Sequence, residues 1–322
     1  MGGETLAGGT LTDADTRYLG GRAYDFAGCS VAGAGDVNDD GFDDMLIGAY
    51  GNDAAGDSAG RAHLVLGAET PASGNLSTDA IQYTGEAGGD IAGFVVAGAG
   101  DYDGDGHDDM IIGADAADGS AGAAYLILGT TDTPSMSLAV ADARYAGAVA
   151  GDHAGTSVGG GGDVNADGYN DLLIGAVGAD FGAPEAGAAY LVLGASTPDA
   201  GGLESVATLL YDEVADAAAG RAVAIVGDVD LDGFDDMLVG AYHTDASTGA
   251  AHLIFGASGI SASSLTEGVQ FTGEAAGDYG GFAVSGGDAN ADGYADLLLG
   301  SLFVDGDVPD GGAAYLILGG WL

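Results

Sequence analysis

The chain has 322 residues, 64 of them glycine, and sets 50 Asp and Glu against five Arg and no Lys, a formal charge of −45. With no basic stripe to release counterions, nucleic acid and anionic membrane surfaces are excluded as partners, while 47% hydrophobic residues and glycines without a collagen period argue for a folded, turn-rich chain. The single Cys29 rules out an intrachain disulfide, and no apolar run approaches the ~18 residues that would span a bilayer, so no direct membrane insertion is expected.

In chain order, residues 1–12 form a Gly/Thr-rich arm, and Met1-Gly2-Gly3-Glu4 lacks the basic and apolar regions of a signal peptide. Residues 15–20 then resemble segments that recur at 80–85, 143–147, 208–211 and 269–273, and are read as the outer strand of a four-stranded unit. A strand of small residues follows each, 30–34 in the first case and 95–99 in the second, as suits an inner strand where backbones crowd together.

Next comes Asp36-Val37-Asn38-Asp39-Asp40-Gly41-Phe42-Asp43-Asp44, a nonapeptide that returns at 101–109, 163–171, 228–236 and 288–296. The spacings of 65, 62, 65 and 60 residues are those of a repeat architecture of the propeller type. After each loop stand two apolar strands, 45–47 and 61–66 in the first repeat, with apolar residues on consecutive positions, which predicts burial of both faces. The most variable segments, 68–79, 130–142 and 195–207, carry Pro71, Pro134 and Pro198 and are read as outer loops.

Oxygen-bearing side chains at loop positions 1, 3, 5 and 9, with Gly at position 6 for a sharp turn, suit a hard cation such as Ca²⁺. Position 1 is Asp36, Asp101, Asp163, Asp228 or Asp288, and position 3 is Asn38, Asp103, Asn165, Asp230 or Asn290. Position 5 is Asp40, Asp105, Asp167, Asp232 or Asp292, and position 9 is Asp44, Asp109, Asp171, Asp236 or Asp296. Position 7 (Phe42, His107, Tyr169, Phe234 or Tyr294) can offer only its carbonyl, and positions 4 and 8 vary as non-ligating positions would. An EF-hand would need a Glu at position 12, where Ile47, Ile112, Ile174, Val239 and Leu299 stand instead. About five Ca²⁺ per chain are therefore expected, one per repeat.

The residues 26–32, 35–44, 46–49 and 60–67 together resemble the FG-GAP repeat of integrin alpha-chain β-propellers and their bacterial relatives. The resemblance implies an all-β propeller with Ca²⁺ between the first two strands of each blade, located outside the cell or at its surface and serving adhesion or ligand binding. The Pro of Gly-Ala-Pro is replaced, by Tyr50 in the first repeat, and integrins have seven blades. Here the chain opens on an outer-type strand and ends on a third-type strand, so a single domain over 13–322 is expected, with five blades closed by the N-terminal strand; the alternative is a fragment of a longer ring cut at the same phase.

No catalytic residues are assigned, and the chain is expected not to be an enzyme. A five-bladed glycosidase would need unique acids that break the repeat, whereas Glu86 and Glu274 sit at matched places. His63 and His252 occupy the place of Tyr125, Tyr190 and Tyr315, and are read as packed aromatics. Asp25, Asp90 and Asp152, eleven residues before their loops, are read as turn residues, with Asp216 and Asp278 out of register. The expected partner is a protein or glycan ligand on the cell surface or matrix. The alternatives are a carbohydrate-binding propeller, with the tyrosines and Trp321 as stacking surfaces, and a self-associating fibre subunit that docks through its arm.

Overall fold

A computed structural model describes residues 10–306 and 308–320. Among these the chain is all-β, its helical segments being single turns of three or four residues. The first blade runs antiparallel from an inner strand, Val31–Gly35, through Asp44–Gly48 and Arg61–Val65 to an outer strand, Ile81–Thr84. The second repeats this with Val95–Gly100, Asp109–Ala114, Ala123–Ile127 and Ala143–Ala146. The third uses Ala154–Gly162, Asp171–Ala176, Ala188–Val192 and Thr208–Tyr211. The fourth uses Ala219–Gly227, Asp236–Ala241, Ala250–Ile254 and Val269–Thr272. Among the described residues the fifth has three strands, Gly280–Gly287, Asp296–Ser301 and Ala313–Ile317.

The inner strands pack on one another in chain order, first against second through to fourth against fifth. Their small residues follow from that convergence: a Cβ on Gly98 would sit 2.8 Å from the Gly33 carbonyl oxygen, and one on Gly160 would sit 2.9 Å from Cα of Ala99. Alternate residues of the second and third strands then point into successive interblade layers. Leu46 and Leu64 of blade one meet Met110, Ile112 and Ile127 of blade two. The same registration brings Leu173 and Leu191 of blade three onto Met237 and Val239 of blade four. Each such fully buried side chain contributes ~1.5–3 kcal/mol. In blades two, three and four every residue of the second strand is buried, which is why these strands carry consecutive apolar residues rather than alternating ones.

The arc does not close among the described residues, and here the structure departs from the expected ring. Tyr18–Leu19 pairs in parallel with Gly74–Asn75 and not with Ala313–Ile317. This is the bond pattern made by the true outer strands: Tyr83 and Thr84 pair with Met136–Ser137, and Tyr145 and Ala146 with Gly201–Gly202. The N-terminal strand is therefore of the outer type, as expected, but among the described residues it pairs with the first repeat alone and the fifth blade has no fourth strand. Consistently, Met45 on the leading face of blade one is 38% exposed, and Leu298 and Leu316 on the trailing face of blade five are 46% and 55% exposed. Residues 1–9 of the expected arm, and Trp321, lie outside the described residues.

Gly194, just after the third strand of blade three, tests the packing of loop against strand. Its N–H donates to Asp171 Oδ1 at 2.7 Å, and an added Cβ would overlap the Asn170 carbonyl oxygen and Cβ of Tyr169. Gly194→Ala should cost ~1–3 kcal/mol and lower the melting temperature, measured by circular dichroism. Gly259→Ala, with nothing within 4 Å of the added atom, should leave it unchanged.

Candidate metal centre

Each nonapeptide joins the inner strand of its blade to the second strand, and its fold is dictated by short carboxylates capturing backbone amides. In the first loop Asp36 accepts from the N–H groups of Asp40 (Oδ1, 3.0 Å) and Gly41 (Oδ2, 2.8 Å), Asn38 Oδ1 from Asp40, and Asp40 Oδ1 from Phe42. Loops three, four and five repeat these bonds, as in Gly168 to Asp163, Gly233 to Asp228 and Gly293 to Asp288. Gly at position 6 has φ between 90° and 96° in all five loops, the left-handed region that glycine enters without cost. Position 4 is also left-handed, although only Gly104 is glycine there: Asp39, Ala166, Leu231 and Ala291 have φ of 55° to 59°. Variation at that position therefore reflects an outward side chain on a constrained backbone.

The position 9 carboxylate is the anchor. Asp109 Oδ2 accepts from Tyr102 N at 2.7 Å, and its Oδ1 from Gly129 N at 2.7 Å. Asp44, Asp171, Asp236 and Asp296 make the same pair of bonds to their own loop and to the glycine that follows the third strand. Burial pushes the Asp109 carboxyl up to about 7 and those of Asp171 and Asp236 up to about 6, against the pull of the two amides. Burial also raises Asp44 and Asp103, and Asp105 adds to the rise at Asp103.

In loops two and four, carboxylate oxygens of positions 1, 3 and 9 converge: one oxygen each from Asp101, Asp103 and Asp109, and from Asp228, Asp230 and Asp236, lie within 4.8 Å of one another. These acidic clusters could hold a metal ion. The fit is best in loop two, where Asp101 Oδ1 is buried with no hydrogen-bond partner, an acceptor left for a cation. Loops one, three and five carry Asn at position 3, whose Nδ2 donates to the position 5 Asp at 2.9–3.0 Å. The position 5 carboxylates, expected as ligands, lie outside the converging sets, and that of Asp105 accepts instead from His107 N and faces His107 Nδ1 at 3.0 Å.

Position 8, read as a variable spectator, is where one blade grips another. Asp108 Oδ2 accepts from Asp36 N of the preceding loop at 2.8 Å, Asn170 Oδ1 from Asp101 N at 2.8 Å, and Asp235 Oδ2 from Asp163 N at 2.9 Å. The amides of Asp108, Asn170, Asp235 and Ala295 return a bond to the carbonyl of the same position 1 residue. The sequence signal was present: every position 8 residue but Ala295 is Asp or Asn.

Several acids outside the loops have structural partners. Asp25, Asp90, Asp152 and Asp278 each accept from the N–H three residues earlier, at 2.8–3.0 Å, which supports the turn reading and brings Asp278 into line with the others. Glu86 lies 3.4 Å from Arg144, and Glu274 accepts from the Tyr315 hydroxyl at 2.9 Å. His63 and His252 are buried as packed side chains; burial lowers both, His63 to about 4, and His252 Nε2 lies 3.6 Å from Asp212.

Two outcomes follow from these carboxylates. Asp235→Ala should cost ~1–2 kcal/mol by leaving the Asp163 amide unpaired, read from denaturant unfolding. For pH, raised carboxyls stabilise metal-free protein fully below their unfolded value of about 3.9, and that contribution is lost as pH rises through about 6 to 7. A bound dication needs the ionised form, so cation uptake, followed by isothermal titration, should fall as pH drops through the same window.

Comparison with known proteins agrees with this geometry. The FG-GAP repeat family matches residues 29–65, 92–127 and 154–192, the inner, second and third strands and loops of the first three blades. Integrin alpha-5 of Xenopus laevis is 30% identical over 184 residues, which is 55% of this chain and 17% of that protein. The chain carries FG-GAP repeats and is weakly related to an integrin alpha chain.

Proposed function

We propose that the chain is a calcium-binding β-propeller module that works outside the cell or at its surface, presenting a rigid face to a protein ligand and catalysing no reaction. The observation that carries this reading is the convergence of position 1, 3 and 9 carboxylates within 4.8 Å, with an unpartnered buried oxygen on Asp101. Oxygen ligands alone favour a hard cation, and a dissociation constant of ~10⁻⁴ M is typical of extracellular modules. The likeness to an integrin alpha chain supports an adhesive role. A second, carbohydrate-binding reading draws on the exposed Tyr24 and Phe26, the latter stacked on Tyr50 with ring centroids 5.0 Å apart and planes 8° from parallel.

At ~10⁻⁴ M affinity, ~1 mM Ca²⁺ contributes ~1.4 kcal/mol per site, and five sites would add roughly 7 kcal/mol, comparable with the stability of a whole domain. Purified protein should hold about five Ca²⁺ per chain by elemental analysis, and EGTA should lower its melting temperature steeply. Melting that EGTA leaves unmoved would sink the proposal. Converting Asp101 and Asp109 to Asn should remove one bound ion and leave the others.

A further inference from the structure

We propose that Asn75 is an acceptor for N-linked glycosylation, its side-chain nitrogen bonded to the anomeric carbon of a saccharide. The inference rests on the extracellular location proposed for the chain, since this modification belongs to secreted proteins. Of the six asparagines in the chain, only Asn75 is followed two residues on by a hydroxyl, in Asn75-Leu76-Ser77, and the residue between is not proline. That is the acceptor pattern. A three-residue pattern also arises by chance, so the fold has to present it as a substrate.

The fold does so. Asn75, Ser77, Thr78 and Asp79 are exposed, as are residues 70–73 before them, while Leu76 is fully buried and pins the segment to the blade. The carboxamide is oriented by its own motif: Asn75 Oδ1 accepts from the Ser77 amide at 2.9 Å and from the Ser77 hydroxyl at 2.7 Å. Nδ2, the atom that would react, makes no hydrogen bond among the described residues. By contrast, Nδ2 of Asn38, Asn165 and Asn290 donates to a neighbouring Asp. Capping accounts for only part of this arrangement. Asn75 precedes the single turn Leu76–Asp79 and caps it, and Ser137, Gly202 and Ser264 stand at the same place in the next three repeats. A cap needs only an acceptor oxygen, which Ser137 and Ser264 supply. A free carboxamide nitrogen is what the first repeat adds.

The transfer balances with one co-reactant, a saccharide carried on a polyprenyl diphosphate. Nδ2 forms a bond to the anomeric carbon, and the bond from that carbon to the diphosphate oxygen breaks. The diphosphate leaves with the bonding pair, and one Nδ2 proton passes to a base of the transferase. The Ser77 hydroxyl on Oδ1 draws electron density from the amide and makes that proton easier to lose.

The experiment is peptide mass mapping of the full chain recovered from the medium and cell surface of the organism that encodes it. Trypsin cuts after Arg61 and Arg144 and nowhere between, so one fragment carries the site. That fragment should be heavier than its sequence by a saccharide. Asn75→Asp keeps the capping oxygen and the fold but removes the reactive nitrogen, and should abolish the added mass. Ser77→Ala, which leaves Asn75 in place, should abolish it too, while Ser77→Thr should retain it. An unmodified fragment from chain found outside the cell would overturn the inference and leave the location standing. Unmodified chain found only inside the cell would overturn both. Added mass that persists in Asn75→Asp would also sink the inference, because the sugar would then sit on a Ser or Thr hydroxyl.

Discussion

Everything in this molecule hangs on one aspartate per repeat, the residue at position 9 of the loop. Its two oxygens hold an amide of the loop and the amide of the glycine that ends the third strand, so one side chain ties the loop, the second strand and the third strand together. A buried carboxylate taking two amide bonds is worth more than a neutral pair, but keeping it ionised costs desolvation. The raised Asp109, Asp171 and Asp236 carboxyls record that cost. A cation bound beside them would offset it.

Between blades a different chemistry operates. Leucine, isoleucine and methionine fill the layers, and position 8 stitches adjacent loops through reciprocal bonds with position 1. In loop two position 1 also belongs to the converging carboxylates, so that cluster and the interblade contact share a residue, Asp101. A cation held in a loop would therefore bear on the packing of the neighbouring loop. The terminal blades show what the layers are worth, since each bares on one side the residues that the three middle blades bury on both.

Much of this was legible in the residues. Five registered nonapeptides marked the turns, consecutive apolar residues marked strands buried on both faces, and small residues marked the inner strands; apart from the first, read over 15–20 and observed at Tyr18–Leu19, the observed strands begin and end within a residue or two of those readings. The candidate site was legible in part. The position 1, 3 and 9 oxygens meet in loops two and four, whereas position 5 looked equivalent by spacing yet turns to local amides, a choice made by loop geometry. The interblade role of position 8 went unread because its partner lies in another repeat, 72 residues away for Asp108.

The sequence by itself determined the blade: a four-strand unit, its loop and the residues that could ligate a cation, because those depend on hydrogen bonds and side-chain alternation over a few neighbouring residues. Only the tertiary structure decided how the blades assemble. Whether an arc of five closes depends on the small rotation between successive inner strands, summed over four interfaces, and no single residue carries that sum. The outer-type strand at Tyr18–Leu19 makes the parallel pair with Gly74–Asn75 that outer strands make with the following repeat, and among the described residues it has no third strand on its other side.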